Sequence, residues 1–492
     1  MTFDDVCAVL VTRGDVDMSF AKDLPYGEVV IHDNSKHALD SKVYGRYVAA
    51  EQSERPLVFF MDDDVRFVGH RELLDAYEPG KIISNMYDEW IESCGYFDLA
   101  LVGLGSIMDN GLWRAAFKKY EAAFPHDDRF LLDADFIFGT LTPFRRYDFG
   151  HEILDIASDE TRLWQQEGQL EGKWRSIKRA RSLRSCTLAI LTKNEEDNIK
   201  RVVESAAPWV DSVTILDSGS TDDTHSRALQ VALAADLKLH WYESEWEGFG
   251  KQRNCLLALA REHGDYILMM DADEELVDPG PRPELAPDAF ILHYEGPVDY
   301  GQPRLLASRF PFAFDDVEVH AALDTDHATF AATVVDLTSP LIRHHGWDRA
   351  ATKERIEAQV EGLRRLLDEG VDIPRHTFLL AKAYEGLGWH GDPDAFDQAI
   401  RCYKARLAVP SEDEESYYSR YRLGCLLAQH RNQFLPAAEQ LLIAWENRPT
   451  RNEALRALAH YATAIADATP YPEGDLLIVH RDSYTHSPKE GR

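Results

Sequence analysis

Short apolar runs broken by polar or glycine-containing turns alternate with stretches of helical period over the first 347 residues. In residues 1–172, Val6–Val11, Glu28–Ile31, Leu57–Met61 and Leu99–Val102 read as strands, with helices predicted at Ser41–Ala50 and Gly111–Ala123. The pattern restarts at residue 186. There Cys186–Leu191, Ser212–Leu216, Leu237–Trp241 and Tyr266–Met270 read as strands, and Asp197–Ala206, Thr221–Leu233 and Lys251–Glu262 as helices. Strand and helix in alternation predict open α/β sheets with mostly parallel strands. From about residue 348 the period becomes purely helical, with apolar residues at Ile356, Val360, Leu363 and Leu366, then at Phe378, Leu379, Ala381, Ala383 and Tyr384.

Two segments of the helical part align with each other. Ala399, Tyr403 and Pro410 in one correspond to Ala438, Leu442 and Pro449 in the other, a repeat of 39 residues. Small residues at Ala381, Gly424, Ala399 and Ala438 would let paired helices approach, which predicts a tetratricopeptide-like helix–turn–helix array. The predicted organisation is an α/β domain over 1–172, a basic linker over 173–185, a second α/β domain over 186–347, a helical-repeat domain over 348–470 and a frayed polar tail over 471–492.

Charge narrows the function classes. The chain has 492 residues and a formal net charge of −32, which argues against broad binding to a phosphate backbone. The exception is GKWRSIKRARSLRS, residues 172–185, with six basic side chains; it reads as an exposed linker or as a patch facing phosphate or an acceptor. Six scattered cysteines without a CxxC suit reduced thiols rather than a disulfide frame or zinc site. The opening MTFDDVCAVLV is acidic ahead of its apolar run, a poor secretory signal, and no apolar run spans a membrane. A cytoplasmic location is expected, the host cytoplasm if the gene is phage-borne.

The chemistry concentrates where apolar strands end in acid. Ile267-Leu268-Met269-Met270 runs into Asp271-Ala272-Asp273, and Val58-Phe59-Phe60-Met61 runs into Asp62-Asp63-Asp64. Carboxylates at the carboxyl edge of a parallel sheet suit a hard divalent cation that shares its shell with phosphate oxygens.

CTLAILTKNEEDNIKRVVES, VTILDSGSTDDT, GFGKQRNCLLALA and GDYILMMDADEEL together resemble glycosyltransferase family two, over about 160 residues. The resemblance implies the A-type glycosyltransferase fold, a nucleotide-sugar donor and a divalent cation, Mn²⁺ or Mg²⁺. It also implies roles. Asp273 and His344 would hold the metal, with His345 as the competitor, and Asp271 would share the site. Asn194, Glu195 and Asp217 would line the base and ribose, and Arg253 would contact the nucleotide. Relatives with a helical-repeat tail often carry Val-His-Glu near the acceptor, whereas this chain reads Val319-His320-Ala321. The base that an inverting transfer needs is therefore sought at Glu318 or His320, with Asp316 also nearby in sequence.

Residues 1–172 resemble a second, divergent A-type glycosyltransferase. Asp33 and Asp64 are 31 residues apart, against 56 for Asp217 and Asp273. Thr12, Arg13, Asp33, Arg46 and Asp62 are the nucleotide-side candidates, Asp64 and His151 the metal candidates, and Asp133 and Asp135 the candidates for an acceptor-side base. The expectation is a bifunctional glycosyltransferase resembling phage and bacterial helical-repeat enzymes. It would add two sugars in sequence to a protein or glycan, with the repeats seating the acceptor or mediating oligomerisation. The alternatives are glycosylation of a modified nucleic-acid base, supported only by the basic stretch, and a helical-repeat interaction protein with an inactive transferase domain. Nucleotidyl transfer would require a glycine-rich basic phosphate loop, of which Thr12-Arg13-Gly14 is too short a trace.

Overall fold

The computed structural model describes residues 1–38, 40–87, 91, 94–153, 168–295, 301–314, 323–324, 333–345, 353–411, 414–449 and 451–468. They form two compact units, Met1–Asp348 and Arg349–Arg492. The first is a mixed α/β unit and the second is helical.

The strands of the first sheet are β1 (Val6–Thr12), β2 (Glu28–Asp33), β3 (Leu57–Asp62), β5 (Ile82–Asn85), β6 (Ser106–Asp109) and β7 (Phe144–Tyr147), with a separate two-stranded ribbon of β4 (Val65–Phe67) and β8 (His151–Ile153). The sheet order is β2-β1-β3-β6-β5-β7, parallel across β2-β1-β3 and antiparallel on either side of β6. Strand β1 is apolar on both faces because both are covered. Val6, Ala8 and Leu10 enter one core cluster, while Cys7 and Val9 enter the other.

The second sheet is built from β9 (Cys186–Thr192), β10 (Ser212–Asp217), β11 (Lys238–Glu243), β12 (Tyr266–Asp271), β13 (Glu274–Val277), β14 (Ala289–Tyr294), β15 (Gly301–Ala307) and β18 (Val334–His344). A small ribbon of β16 (Ala313–Phe314) and β17 (Leu323–Asp324) stands apart from it. Its order is β11-β10-β9-β12-β15-β14-β18-β13, with the first four strands parallel. The predicted strands and helices of residues 186–271 are all present, with bounds moved by a few residues.

Two expectations for the first unit change. Leu99–Val102 is not a strand. It is buried among the core residues, yet its backbone bonds to a side chain and to a helix: Ser84 Oγ donates to the Leu101 carbonyl at 2.5 Å and Ala100 N–H to the carbonyl of Gly139, within the helix Phe130–Leu141, at 3.1 Å. Burial on all sides gives such a loop the same apolar signature as a core strand.

The basic stretch is not an exposed linker either. Its residues form most of the helix Gln169–Ser182, which packs on the helix Phe130–Leu141. Arg181 and Arg184 clasp the fully buried Asp98 at 2.6–2.9 Å, and Arg181 also reaches Glu284 at 2.7 Å. Arg175 pairs with Asp128 and Arg179 with Asp127. Arg181 and Arg184 thus join the two halves of this unit, while Arg175 and Lys178 stay exposed.

The helical unit contains, among its described residues, the helices Lys353–Asp368, Ile373–Trp389, Pro393–Leu407, Glu414–Arg431, Phe434–Asn447 and Glu453–Ala468. Close approach at small residues is present. A Cβ on Gly424 would meet Leu441 Cγ at 2.6 Å, and one on Gly388 would meet the Phe396 ring at 2.5 Å. The register differs by one: Ala437 and Leu441 are fully buried, whereas Leu442 is 45% exposed and Ala438 only half-buried. Ala399 and Tyr403 therefore correspond to Ala437 and Leu441, a repeat of 38 residues. Apolar residues at both 441 and 442 made the sequence register ambiguous. Among the described residues no helix is long and apolar enough to cross a membrane.

Candidate functional site

The second sheet gathers its acids at one edge. Strands β10 and β12 flank β9, with Asp217 opposite Thr192 and Asp271 opposite Leu191. Past β10, the Asp217 carboxylate accepts the N–H groups of Gly219 at 3.0 Å and Ser220 at 2.8 Å, together with the Ser220 hydroxyl. Gly219 has φ +88°, a conformation glycine adopts without strain. Asn194 stitches this loop to the one after β9. Its Oδ1 accepts Thr221 N–H at 2.8 Å, its own N–H reaches Ser220 Oγ at 2.8 Å, and its φ is +57°. Glu195 accepts from Asn198 Nδ2 at 2.6 Å while its backbone N–H bonds Thr224 Oγ1. Asn194 and Glu195 thus shape the loops that carry Asp217.

Arg253 projects from the helix Phe249–Ala260, and its Nη2 lies 3.0 and 3.3 Å from the two Asp271 oxygens. Phe314 packs on the guanidinium at 5.3 Å, and Asn254 holds Phe314 by bonds of 2.7 and 2.8 Å to its backbone. Burial works to raise the Asp271 pKa, but Arg253, Arg304 and His344 outweigh it and hold the carboxyl below its usual range.

Behind Asp271 stands a network that the sequence reading did not assign. Glu274 is fully buried. It accepts the Asp271 N–H, the Arg304 Nη2 and the Tyr294 hydroxyl, each at 2.8 Å. Burial pushes its pKa up to about 7 against the pull of Arg304. Its role is to clamp the turn that presents Asp273. Glu274 lies in the acidic run that sequence analysis quoted, and the apolar neighbours of Arg304 gave no sign that it faces Glu274.

His344 ends β18 opposite Glu274, and its Nε2 is 3.7 Å from Asp273 Oδ1. His345 instead takes Glu275 as its partner at 2.7 Å. Among the described residues no three His, Cys, Asp or Glu side chains cluster around one point. Asp273 and His344 offer a carboxylate and an imidazole face to face at the end of β12, a donor pair that suits Mn²⁺ or Mg²⁺ once phosphate oxygens and water complete the shell. Glu318 and His320, the candidate bases, lie outside the described residues.

The first sheet repeats the device. Asp33, at the end of β2, accepts the N–H and hydroxyl of Ser35 at 3.0 and 2.6 Å and pairs with Lys36, and these contacts pull its pKa down to about 2. Arg46, on the helix Gly45–Ala50, hydrogen-bonds Asp62 at the end of β3 and lies 3.3 Å from Asp135. Asp62 thus stands to Arg46 as Asp271 stands to Arg253. Gly103 closes over Asp62: its carbonyl accepts the Asp62 N–H at 2.8 Å, and a Cβ there would meet the carboxylate at 2.0 Å. Tyr47 donates to Asp135 at 2.6 Å.

Four further candidates of this half have partners of their own in the structure. Asp133 is fully buried and bonded to Arg129 at 2.7 and 3.0 Å and to Ser176 at 2.8 Å, which ties the helix Phe130–Leu141 to the helix Gln169–Ser182. His151 lies opposite Phe67, not beside Asp64, and its Nδ1 is 3.1 Å from Asn85 Nδ2. Thr12 is buried, with its hydroxyl accepting Gly14 N–H at 3.1 Å, and Arg13 pairs with Asp15 at 2.6 Å.

Asp135 carries a pH prediction. Burial first, and the Asp62 charge second, raise its pKa from 3.8 to about 6 despite Arg46. A raised folded-state pKa means the native state holds the extra proton, so this stabilisation is complete below pH 3.8 and is lost as pH rises through about 6. Asp135→Asn removes that slope: the melting-temperature difference between wild type and variant changes between pH 4.5 and 7, as differential scanning fluorimetry would read it. A constant difference over that range contradicts the assignment.

An open α/β sheet whose parallel strand ends collect acids around an arginine belongs to the class of folds that bind ligands at the carboxyl edge. Residues 187–279 match the family model Glycosyl transferase family 2. That span includes Asn194, Glu195, Asp217, Arg253, Asp271 and Asp273. The chain is 28% identical over 232 residues to a TPR repeat-containing protein of Synechococcus elongatus, covering 44% of this chain and 55% of that one. It is 28% identical over 161 residues to the glucosyl-3-phosphoglycerate synthase of Mycobacterium tuberculosis, covering 31% and 46%. The chain thus spans about half the length of these curated relatives. The crystal structure of S. aureus TarS aligns with a TM-score of 0.28 at 15% identity, covering 51% and 54%, too slight a likeness to bear on function.

Proposed function

We propose that the chain is a glycosyltransferase that takes its sugar from a nucleotide-sugar donor seated at the β9–β10–β12 edge. The observation that carries this reading is the placing of Asp217, Arg253 and Asp271 at one strand edge, inside the span that matches the family model. Asp217 and the loop stitched by Asn194 receive the nucleoside, and Arg253 orients Asp271 toward it. Asp273 and His344 would hold a divalent cation, which when bound neutralises charge on the leaving diphosphate. The acceptor hydroxyl oxygen bonds to the anomeric carbon, the bond from that carbon to the diphosphate oxygen breaks, and the hydroxyl proton passes to a base. An inverting course fits this single displacement.

The same device at Asp33, Arg46 and Asp62 supports a second donor site, hence a tandem A-type arrangement and two additions by one chain. Asp135, with its pKa near neutrality, is the base candidate there. The paired helices of the second unit fit a tetratricopeptide-like array that seats a protein or glycan acceptor. The test is a donor screen in the presence of Mn²⁺, scored by nucleoside diphosphate release. Turnover of one nucleotide-sugar well above the buffer rate is expected, and no release from any uridine, guanosine or adenosine diphosphate sugar, with or without acceptor extracts, overturns the reading.

A further inference from the structure

The acids that end β3 and β12 each meet an arginine, but they are held from behind by different means. In the second site the Asp271 N–H goes to the Glu274 carboxylate at 2.8 Å, and Arg304 and Tyr294 fix that carboxylate. The third residue after Asp62 is Val65, which is buried and offers no side-chain acceptor. The Asp62 N–H turns instead to the Gly103 carbonyl, also at 2.8 Å.

Gly103 belongs to a segment that is tied along its length. Residues 98–105 are buried throughout. The carbonyls of Leu101 and Val102 accept from Ser84 Oγ and Ser106 Oγ at 2.5 and 3.0 Å, and those of Leu104 and Gly105 accept from Asn85 Nδ2 and Asn85 N–H at 3.0 and 2.8 Å. At its start the Asp98 carbonyl accepts from Arg184 at 2.7 Å. Buried backbone bonded in this way is costly to displace. The Asp62 carboxylate fills the space that a side chain at 103 would need, since a Cβ there would overlap both of its oxygens. In that place it accepts from Arg46 Nη2.

We propose that Gly103 is a positioning residue of the first site: its carbonyl and its missing side chain hold the Asp62 carboxylate on Arg46, as Glu274 holds Asp271 in the second. This inference rests on the reading of the first sheet as a donor site. A methyl group at 103 would act on that site through Asp62. The Asp62 side chain is 41% exposed, so it can turn into solvent and leave Arg46 without rearranging the core.

Calorimetry tests it on the full chain, with Asp271→Ala and Asp273→Ala silencing the second site. The probes are the diphosphates of uridine, guanosine, adenosine, cytidine and thymidine, with Mn²⁺ present. The parent is expected to bind one of them. Gly103→Ala weakens that binding at least about tenfold, the scale of one hydrogen bond to a charged group, and to the level of Asp62→Ala. Adding Gly103→Ala to Asp62→Ala changes affinity by less than about twofold, because the two changes act through one contact. Where Gly103→Ala lowers the melting temperature, Asp62→Ala restores it by removing the overlapping carboxylate. Unchanged affinity in Gly103→Ala, a further loss in the double variant, or a melting temperature that Asp62→Ala does not restore overturns the proposal and leaves the donor-site reading standing. No binding of any of the five by the parent overturns both.

Discussion

Asp273→Ala is expected to reduce sugar transfer from the second site on the order of 10³-fold, the scale seen when one preorganised electrostatic group is removed from a transition state. The chain should remain folded. Asp273 is part-exposed, and its one side-chain partner of note is His344 at 3.7 Å, so the melting temperature should move by less than about 2 °C. Asp271→Ala is expected to hurt differently, because it strips from Arg253 its carboxylate partner and removes the acid on which Arg253, Arg304 and His344 converge. The contrast between the two variants separates a metal-facing acid from one that orients an arginine: kcat falls in the first, and donor KM rises as well in the second. Equal turnover by Asp273→Ala and wild type would remove the acid from the mechanism.

The largest stability effect is expected far from either site, at Asp98. Its carboxylate is fully buried between Arg181 and Arg184, themselves 8% and 4% exposed. Burial alone would raise its pKa, yet the two guanidinium groups hold it below the ordinary value. Asp98→Ala leaves the buried Arg184 without a carboxylate and Arg181 with Glu284 alone, which costs about 3–5 kcal/mol and roughly 5 °C in melting temperature. Asp98→Asn, which keeps hydrogen-bond acceptance but not charge, should fall in between. Because Arg181 also reaches Glu284 and Arg184 reaches the Leu285 carbonyl, the loss should loosen the packing of the two sheets. Differential scanning calorimetry checks this, and a shift below about 2 °C would show that the clasp contributes little.

The second sheet was legible because its chemistry is local. Each of its parallel strands is a short apolar run, each acid follows a strand directly, and parallel pairing then brings Asp217 and Asp271 to one edge. Arg253 could be named from its motif, but its partner could not. What escaped was long-range: Glu274 meets Arg304 from 30 residues away, and Asp98 meets Arg184 from 86. The basic run at 172–185 was misjudged for the same reason, since a buried arginine and a solvated one are identical in sequence. Leu99–Val102 differs from the strand expected because burial on every side erases the difference between strand and loop, and the place of His151 opposite Phe67 was not legible because ladder register is not written in residue order. In Asp133 and Asp135, two acids on one helix turn to different neighbours, Arg129 for one and Arg46 with Tyr47 for the other.

The central claim is that one chain carries two donor sites of shared design. Equilibrium binding of the donor sugar nucleotide found by the screen, measured by calorimetry on the intact chain with Mn²⁺, tests it most directly. The account predicts two sites for wild type, one for a variant lacking Asp271 and Asp273, one for a variant lacking Arg46 and Asp62, and none when all four are replaced. A wild-type stoichiometry of one that the Arg46 and Asp62 replacements leave unchanged would contradict it.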